Sequence, residues 1–149
     1  AVLEQQTEAE RHFKRALESR PHHVEILDKL GVALARIKGR DAESEDCFKR
    51  ATEIAPYYYR PWYNWAVVSA QKSDWDQSLS HLNRSLSFRS DHVSSRRLRA
   101  RVQYMRKDLD SALADLRILK SRFPLELEWL RQNSPALARE PAFREIFSR

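Results

Sequence analysis

Glycine is nearly missing from this chain, with 2 in 149 residues. Tight hairpins call for residues at positive φ, glycine above all, so an all-β fold is disfavoured from the start. Two glycines also cannot form a phosphate-cradling loop. No run approaches the ~18 consecutive apolar residues of a membrane-spanning helix, and no signal-peptide pattern opens the chain. Ala1 stands first rather than Met, as in a fragment or a processed form. The single cysteine, Cys47, rules out an internal disulfide or a thiolate metal cluster. It fits a reducing compartment, and the expected location is cytoplasmic.

Residues in catalytic patterns are equally scarce. The five histidines are His12, His22, His23, His81 and His92. His22-His23 fall in a turn with no third ligand near in sequence, and they read as surface residues rather than a zinc site. Cys47 sits beside Phe48 on an inward-facing helix with no adjacent base, and reads as a small buried apolar residue. Asn83-Arg84-Ser85 matches a glycosylation acceptor but lies inside a predicted helix, where it is a chance match. The expectation is a protein that is not an enzyme and holds no cofactor and no metal.

Charge and apolar residues are plentiful, at 32% and 42% of the chain. The net charge is +6, and its excess sits in one place: residues 84–122 carry 11 basic and 4 acidic groups. Nine of the basic groups are arginines: Arg84, Arg89, Arg96, Arg97, Arg99, Arg101, Arg106, Arg117 and Arg122. Arginine is the planar fork that suits carboxylate or phosphate. The plain alternative is a solvated basic helical face.

A repeat organises the rest. Ala9, Ser44, Ser78 and Ala112 form one column, and Phe13, Phe48, Leu82 and Leu116 a second. Ala16, Ala51, Ser85 and Leu119 form a third, and Pro21, Pro56, Ser90 and Pro124 a fourth. Each column steps by 35, then 34, then 34 residues. Leu27, Trp62 and Arg96, then Leu30, Trp65 and Arg99, then Gly31, Ala66 and Ala100 mark the other half of the unit. The extra residue of the second unit falls near Lys38–Asp41. Each unit reads as two amphipathic helices with small residues where the helices approach and a proline that ends the second. The spacing predicts helices over 2–19, 24–37, 42–54, 59–71, 75–88, 93–105, 109–121, 125–132 and 139–147, with Asp41, Asp74 and Asp108 placed as N-caps. Trp62 and Trp65 are assigned to the core. Leu137, Phe143 and Phe147 are assigned to a segment that covers the last unit, as is Trp129.

The runs Ala9-x3-Phe13-x2-Ala16-x4-Pro21, Leu27-x2-Leu30-Gly31 and Trp62-x2-Trp65-Ala66 resemble the tetratricopeptide repeat family. The resemblance implies an all-α, right-handed superhelical solenoid of antiparallel helix pairs. It covers residues 1–124, with a partial first repeat at 1–23 and further repeats at 24–58, 59–92 and 93–124, before C-terminal capping helices at 125–149. Ser90, Arg96, Arg99 and Leu119 depart from the family's columns and put the packing of the fourth unit in question.

The resemblance further implies a scaffold that binds a peptide or partner segment on its concave face, lined by the first helix of each repeat. Carried onto this sequence, the peptide-binding set is Arg60, Tyr63, Asn64, Val67, Gln71, Arg97, Arg101 and Tyr104, with Glu25, Asp28, Val32, Ala35 and Ser94 nearby. Arg97 and Arg101 stand four apart on one helical face and, with Arg60, suit a carboxylate. The expected ligand is an acidic or carboxylate-bearing segment. The family's two-carboxylate clamp for chaperone C-termini is disfavoured: of Asp28, Val32, Asn64, Ser94 and Leu98 at its positions, only Asn64 agrees. Two other classes stay open. One is an architectural segment that joins upstream repeats or a second copy through its N-terminal face. The other, less favoured, is a nucleic-acid module.

Overall fold

The computed structural model describes residues 1–148, which form helices and turns without a strand. In chain order these are α1 (Val2–Ser19), α2 (Val24–Ala35), α3 (Asp41–Ile54), α4 (Tyr59–Gln71), α5 (Trp75–Phe88), α6 (Val93–Met105), α7 (Leu109–Arg122), α8 (Pro124–Asn133), α9 (Pro135–Ala138) and α10 (Arg144–Phe147), with a 3-10 turn at Pro141–Phe143. Each helix from α1 to α8 packs on its neighbours in the chain. In addition α2 touches α4, α4 touches α6, and α6 touches α8. The even-numbered helices therefore draw together along one side. That is how stacked antiparallel pairs make a solenoid with a concave inner face.

The turns inside each repeat share one device. Gly39, Ser73 and Lys107 all take positive φ, at 84°, 59° and 65°, and they recur at intervals of 34 residues. A left-handed residue after a helix turns the chain away from its last turn. The residue after it caps the next helix. Asp74 accepts the Gln77 amide at 3.1 Å, and Asp108 accepts the Ser111 amide at 3.2 Å. Asp41 does not act as a cap. The extra residue of that repeat precedes Gly39, so Arg40 takes the cap position and Asp41 is the first residue of α3. Arg40 turns its guanidinium to Glu10 on α1 and to Glu43 instead.

Small residues mark where helices meet. The Ser44 hydroxyl donates to the Gly31 carbonyl at 2.6 Å, and one repeat on, the Ser78 hydroxyl donates to the Ala66 carbonyl at 2.8 Å. A Cβ on Gly31 would lie 2.6 Å from the Phe48 ring, so this position needs glycine for closeness. The bulky column is buried from the second repeat on: Phe48, Leu82 and Leu116 have no exposed surface, while Phe13 on α1 is half-buried.

Three further columns fill the space between successive outer helices, and each repeat fills it differently. The second repeat uses Leu27, Leu30 and Cys47, all buried. The third uses Trp62, Trp65 and His81. Trp65 stacks on His81 at 4.0 Å between centroids and lies parallel to Trp62 at 6.1 Å. The two tryptophans are half-buried rather than core. Their indole N–H groups explain this, since each must reach an acceptor, at the Pro56 carbonyl and the Glu45 carboxylate. The fourth repeat uses Arg96, Arg99 and Asp115. Asp115 is 2% exposed and accepts Arg99 through both oxygens at 2.8 Å and Arg96 at 2.9 Å. The arginines in apolar columns are thus neutralised in place.

At the C-terminal end Leu137, Phe143 and Ile146 are buried with Leu116, Leu119 and Leu130 in one cluster. Trp129 is not part of that cluster. It lies beneath the Arg97 guanidinium, 3.8 Å from its carbon. At the other end Phe13 and Leu17 of α1 pack on Leu30, Leu34 and Cys47, while Val2 and Leu3 are 68% and 63% exposed.

Candidate peptide-binding face

The inner helices α2, α4 and α6 bring the sequence-derived residues to one side of the solenoid, but not into one group. Asn64, Val67, Gln71, Arg101 and Tyr104 line a depression divided in two. It consists of a hollow of about 510 Å³ between α4 and α6, which Val67, Gln71, Arg101 and Tyr104 share, and a smaller one of about 200 Å³ between α2 and α4, which Asn64, Val67 and Gln71 share. Val67 and Gln71 form the ridge common to both. Arg60, Tyr63 and Arg97 lie outside both hollows. Tyr63 sets its ring edge against His92 at 5.0 Å. Arg60 is exposed, 6.0 Å from the Tyr58 ring.

Several of these side chains already have partners. Asn64 donates to Asp28 Oδ1 at 2.8 Å, which ties α4 to α2. Burial raises the Asp28 carboxyl above its ordinary range, and the Asn64 hydrogen bond opposes that shift. Arg97 donates to Glu126 on α8 and sits over the Trp129 ring. Tyr104 meets the edge of Phe143 at 6.2 Å. Arg101 is different. It is exposed on the rim of the larger hollow, and among the described residues no carboxylate comes within ion-pair distance of it.

The basic segment looks different once its partners are counted. Arg89 pairs with Asp91, Arg96 and Arg99 with Asp115, Arg97 with Glu126, and Arg106 with Asp76. Arg84 lies 5.8 Å from the Trp62 ring and Arg122 5.5 Å from the Phe123 ring. Arg101 and Arg117 have neither kind of partner among the described residues. No group of three or more His, Cys, Asp or Glu side chains is placed to hold a metal ion among those residues. The Cys47 thiol is buried, and burial pushes its pKa up to about 11, away from nucleophilic use. No helix among the described residues is long and apolar enough to cross a membrane.

Residues 3–59 match the family model described as tetratricopeptide repeat. The fold matches the crystal structure of MamA with a TM-score of 0.75 at 16% identity, over 93% of this chain and 82% of that one. It also matches a thermophilic TPR protein of Thermus thermophilus with a TM-score of 0.72 at 21% identity, over 91% and 74%. The N-terminal part of the chain, residues 3–59, is thus similar to the tetratricopeptide repeat family, and the fold is that of a TPR solenoid. Among curated TPR relatives, tetratricopeptide repeat protein 8 of Homo sapiens is 29% identical over 86 residues, 58% of this chain and 16% of that protein. Protein O-mannosyl-transferase Tmtc2 of Drosophila melanogaster is 38% identical over 71 residues, 48% of this chain and 8% of that protein. The chain spans less than a fifth of the length of either relative, so what their names say of them stays with them.

Within this TPR-like solenoid, α8 is the element that sequence reasoning missed as part of the inner face. The turns before α2, α4 and α6 each have four residues, whereas Phe123 alone separates α7 from α8. In the repeat register Glu126 falls with His23, Tyr58 and His92, which precede the inner helices in the other repeats, so no lining position pointed to it. Pro124 was the available signal, since it aligns with Pro21 and Pro56 and opens the helix here.

Proposed function

We propose that this chain is a protein-interaction scaffold that holds an extended, acidic or carboxylate-bearing segment of a partner along α2, α4 and α6. The observation that carries this reading is Arg101: a cation without a carboxylate partner among the described residues, set on the rim of a hollow whose lining holds no other charged side chain. A water-excluded arginine bonded to a carboxylate contributes roughly 1.5–3 kcal/mol, against about 0–1 for an exposed pair. The groove makes the difference. Val67 and Tyr104 supply apolar contact beside the charge, and Asn64 and Gln71 offer amide groups to the ligand's backbone. Arg60, Tyr63 and Arg97 stand at the rim. Arg97 enters only if a ligand carboxylate competes with Glu126.

The test compares partners retained from a lysate by wild type, by Arg101→Glu and by Arg117→Glu. Arg117 is an exposed arginine on α7, away from the groove, and controls for net charge. The expected result is a set of partners kept by Arg117→Glu and lost by Arg101→Glu. Equal loss in both variants, or none, overturns the reading. A second reading, self-association, draws on the exposed Val2 and Leu3 of α1. Sedimentation that depends on protein concentration would favour it.

A further inference from the structure

The larger hollow has a wall that the inner helices do not supply. Where α8 ends, Asn133, Ser134 and Pro135 turn the chain, and Ala136 and Leu137 carry it across the open side between α4 and α6. The opposite walls are Val67, Ala70 and Trp75 from the third repeat, with Leu98 and Met105 from α6. Among the described residues Arg101 is the one charged side chain in the lining. The volume, about 510 Å³, falls within the ~300–1,000 Å³ of cavities that enclose whole small molecules. Met105 is 47% exposed at the mouth, a flexible thioether that adapts to the shape of what it covers.

We infer that the segment Asn133–Leu137 is a recognition element: it closes an apolar pocket that takes a large side chain of a partner segment, leucine, methionine or an aromatic, next to the carboxylate held by Arg101. The inference rests on the proposed function and adds to it the selection of a side chain. Val67, Ala70, Trp75, Leu98, Met105 and Leu137 gain from displacing water with an apolar group, while Gln71, Asn133 and Ser134 supply the few polar groups of the lining. Charge decides between a foreign segment and a second copy. The chain carries a net +6, which opposes its own association and favours an acidic partner. The pocket and the arginine then read two features of one ligand at a fixed separation.

The experiment selects phage-displayed random dodecapeptides on the full chain and measures the enriched peptides against three variants. Arg101→Glu removes the cation. Ala136→Trp fills the pocket from an exposed position of α9. Met105→Glu places a carboxylate four residues from Arg101, where it occupies the arginine and the mouth together. Circular dichroism checks that each variant keeps its helices. The expected peptides carry Asp or Glu within a few positions of Leu, Met, Phe or Trp, and each variant weakens them at least tenfold. Enriched peptides that need the acid but tolerate Ala136→Trp and lack a bulky apolar residue overturn the pocket and leave the proposed function standing. Peptides indifferent to Arg101→Glu, or no enrichment at all, overturn both. A concentration-dependent dimer of the wild type that Ala136→Trp dissolves puts a second copy in the pocket and also overturns the inference.

Discussion

Asp115 and Arg99 form a two-pronged ion pair in the place that His81 and Trp65 fill by stacking one repeat earlier. Arg99 donates Nε and Nη2 to the two oxygens of Asp115, each at 2.8 Å. Two repeats earlier the same place holds Leu30 and Cys47. One architectural position is thus filled with apolar, aromatic and ionic groups in turn. A buried pair adds little to stability over an apolar filling, but its half-removal is severe. Asp115→Leu alone leaves two arginines facing the site without their carboxylate and should cost about 3–5 kcal/mol. Combining it with Arg96→Leu and Arg99→Leu should recover that loss or exceed it. Thermal melts of the single and triple variants check this, and a triple variant less stable than the single contradicts it.

Ser73 and Lys107 hold the left-handed conformation that Gly39 adopts without cost. A side chain there costs roughly 1–2 kcal/mol, part of which a glycine gives back through its freer unfolded chain. Ser73→Gly and Lys107→Gly should each raise stability by about 0.5–1 kcal/mol, while Gly39→Ala lowers it. Urea midpoints at unchanged slope are the readout.

At Gly31 the demand is for closeness rather than for φ. Gly31→Ala drives a methyl into the Phe48 ring and should destabilise by about 1–3 kcal/mol. Phe48→Leu in the same chain should relieve part of that loss, which a double-mutant cycle measures directly.

How much of this was open to sequence reasoning depends on what repeats. The solenoid was legible because Phe48, Leu82 and Leu116 recur with small residues at fixed offsets, and steric closeness leaves few alternatives there. Asp74 and Asp108 were legible as caps for the same reason. Asp41 was misplaced because the extra residue falls before the left-handed turn, and composition gives no sign of where within a turn a residue is added. The pairing of Arg97 with Glu126 was not legible, since Glu126 occupies the position of the turn residues His23, Tyr58 and His92, and the shortened turn at Phe123 brings it into a helix only here. Arg96 and Arg99 were visible as anomalies. Their partner Asp115 sits in the column of Cys47 and His81, so a charge in three anomalous columns of one repeat was the clue.

His81 makes stability depend on pH. Burial lowers its pKa to about 4, from 6.5 for a free imidazole. The native state therefore holds it neutral between those values while the unfolded chain takes up a proton. Its contribution is fully present above pH ~6.5 and is lost as pH falls towards 4, amounting to about 1–3 kcal/mol. Burial and the charges of Arg89 and Arg60 lower His92 in the same direction. His81→Phe keeps the stack on Trp65 without a titrating group and should flatten the fall between pH 6.5 and 4. A variant with the wild-type slope contradicts this role.

The central claim is that ligand lies on the inner helices, and a map of perturbed amides tests it most directly. The protein, labelled with nitrogen-15, is titrated with a short synthetic peptide of glutamate and leucine in a glycine-serine frame. The account predicts that the perturbed amides cluster around Asn64, Val67, Gln71, Arg101 and Tyr104 and along Asn133–Leu137, and that Arg101→Glu abolishes them. Perturbations confined to α3, α5 and α7, or to the open side of α1, would contradict it.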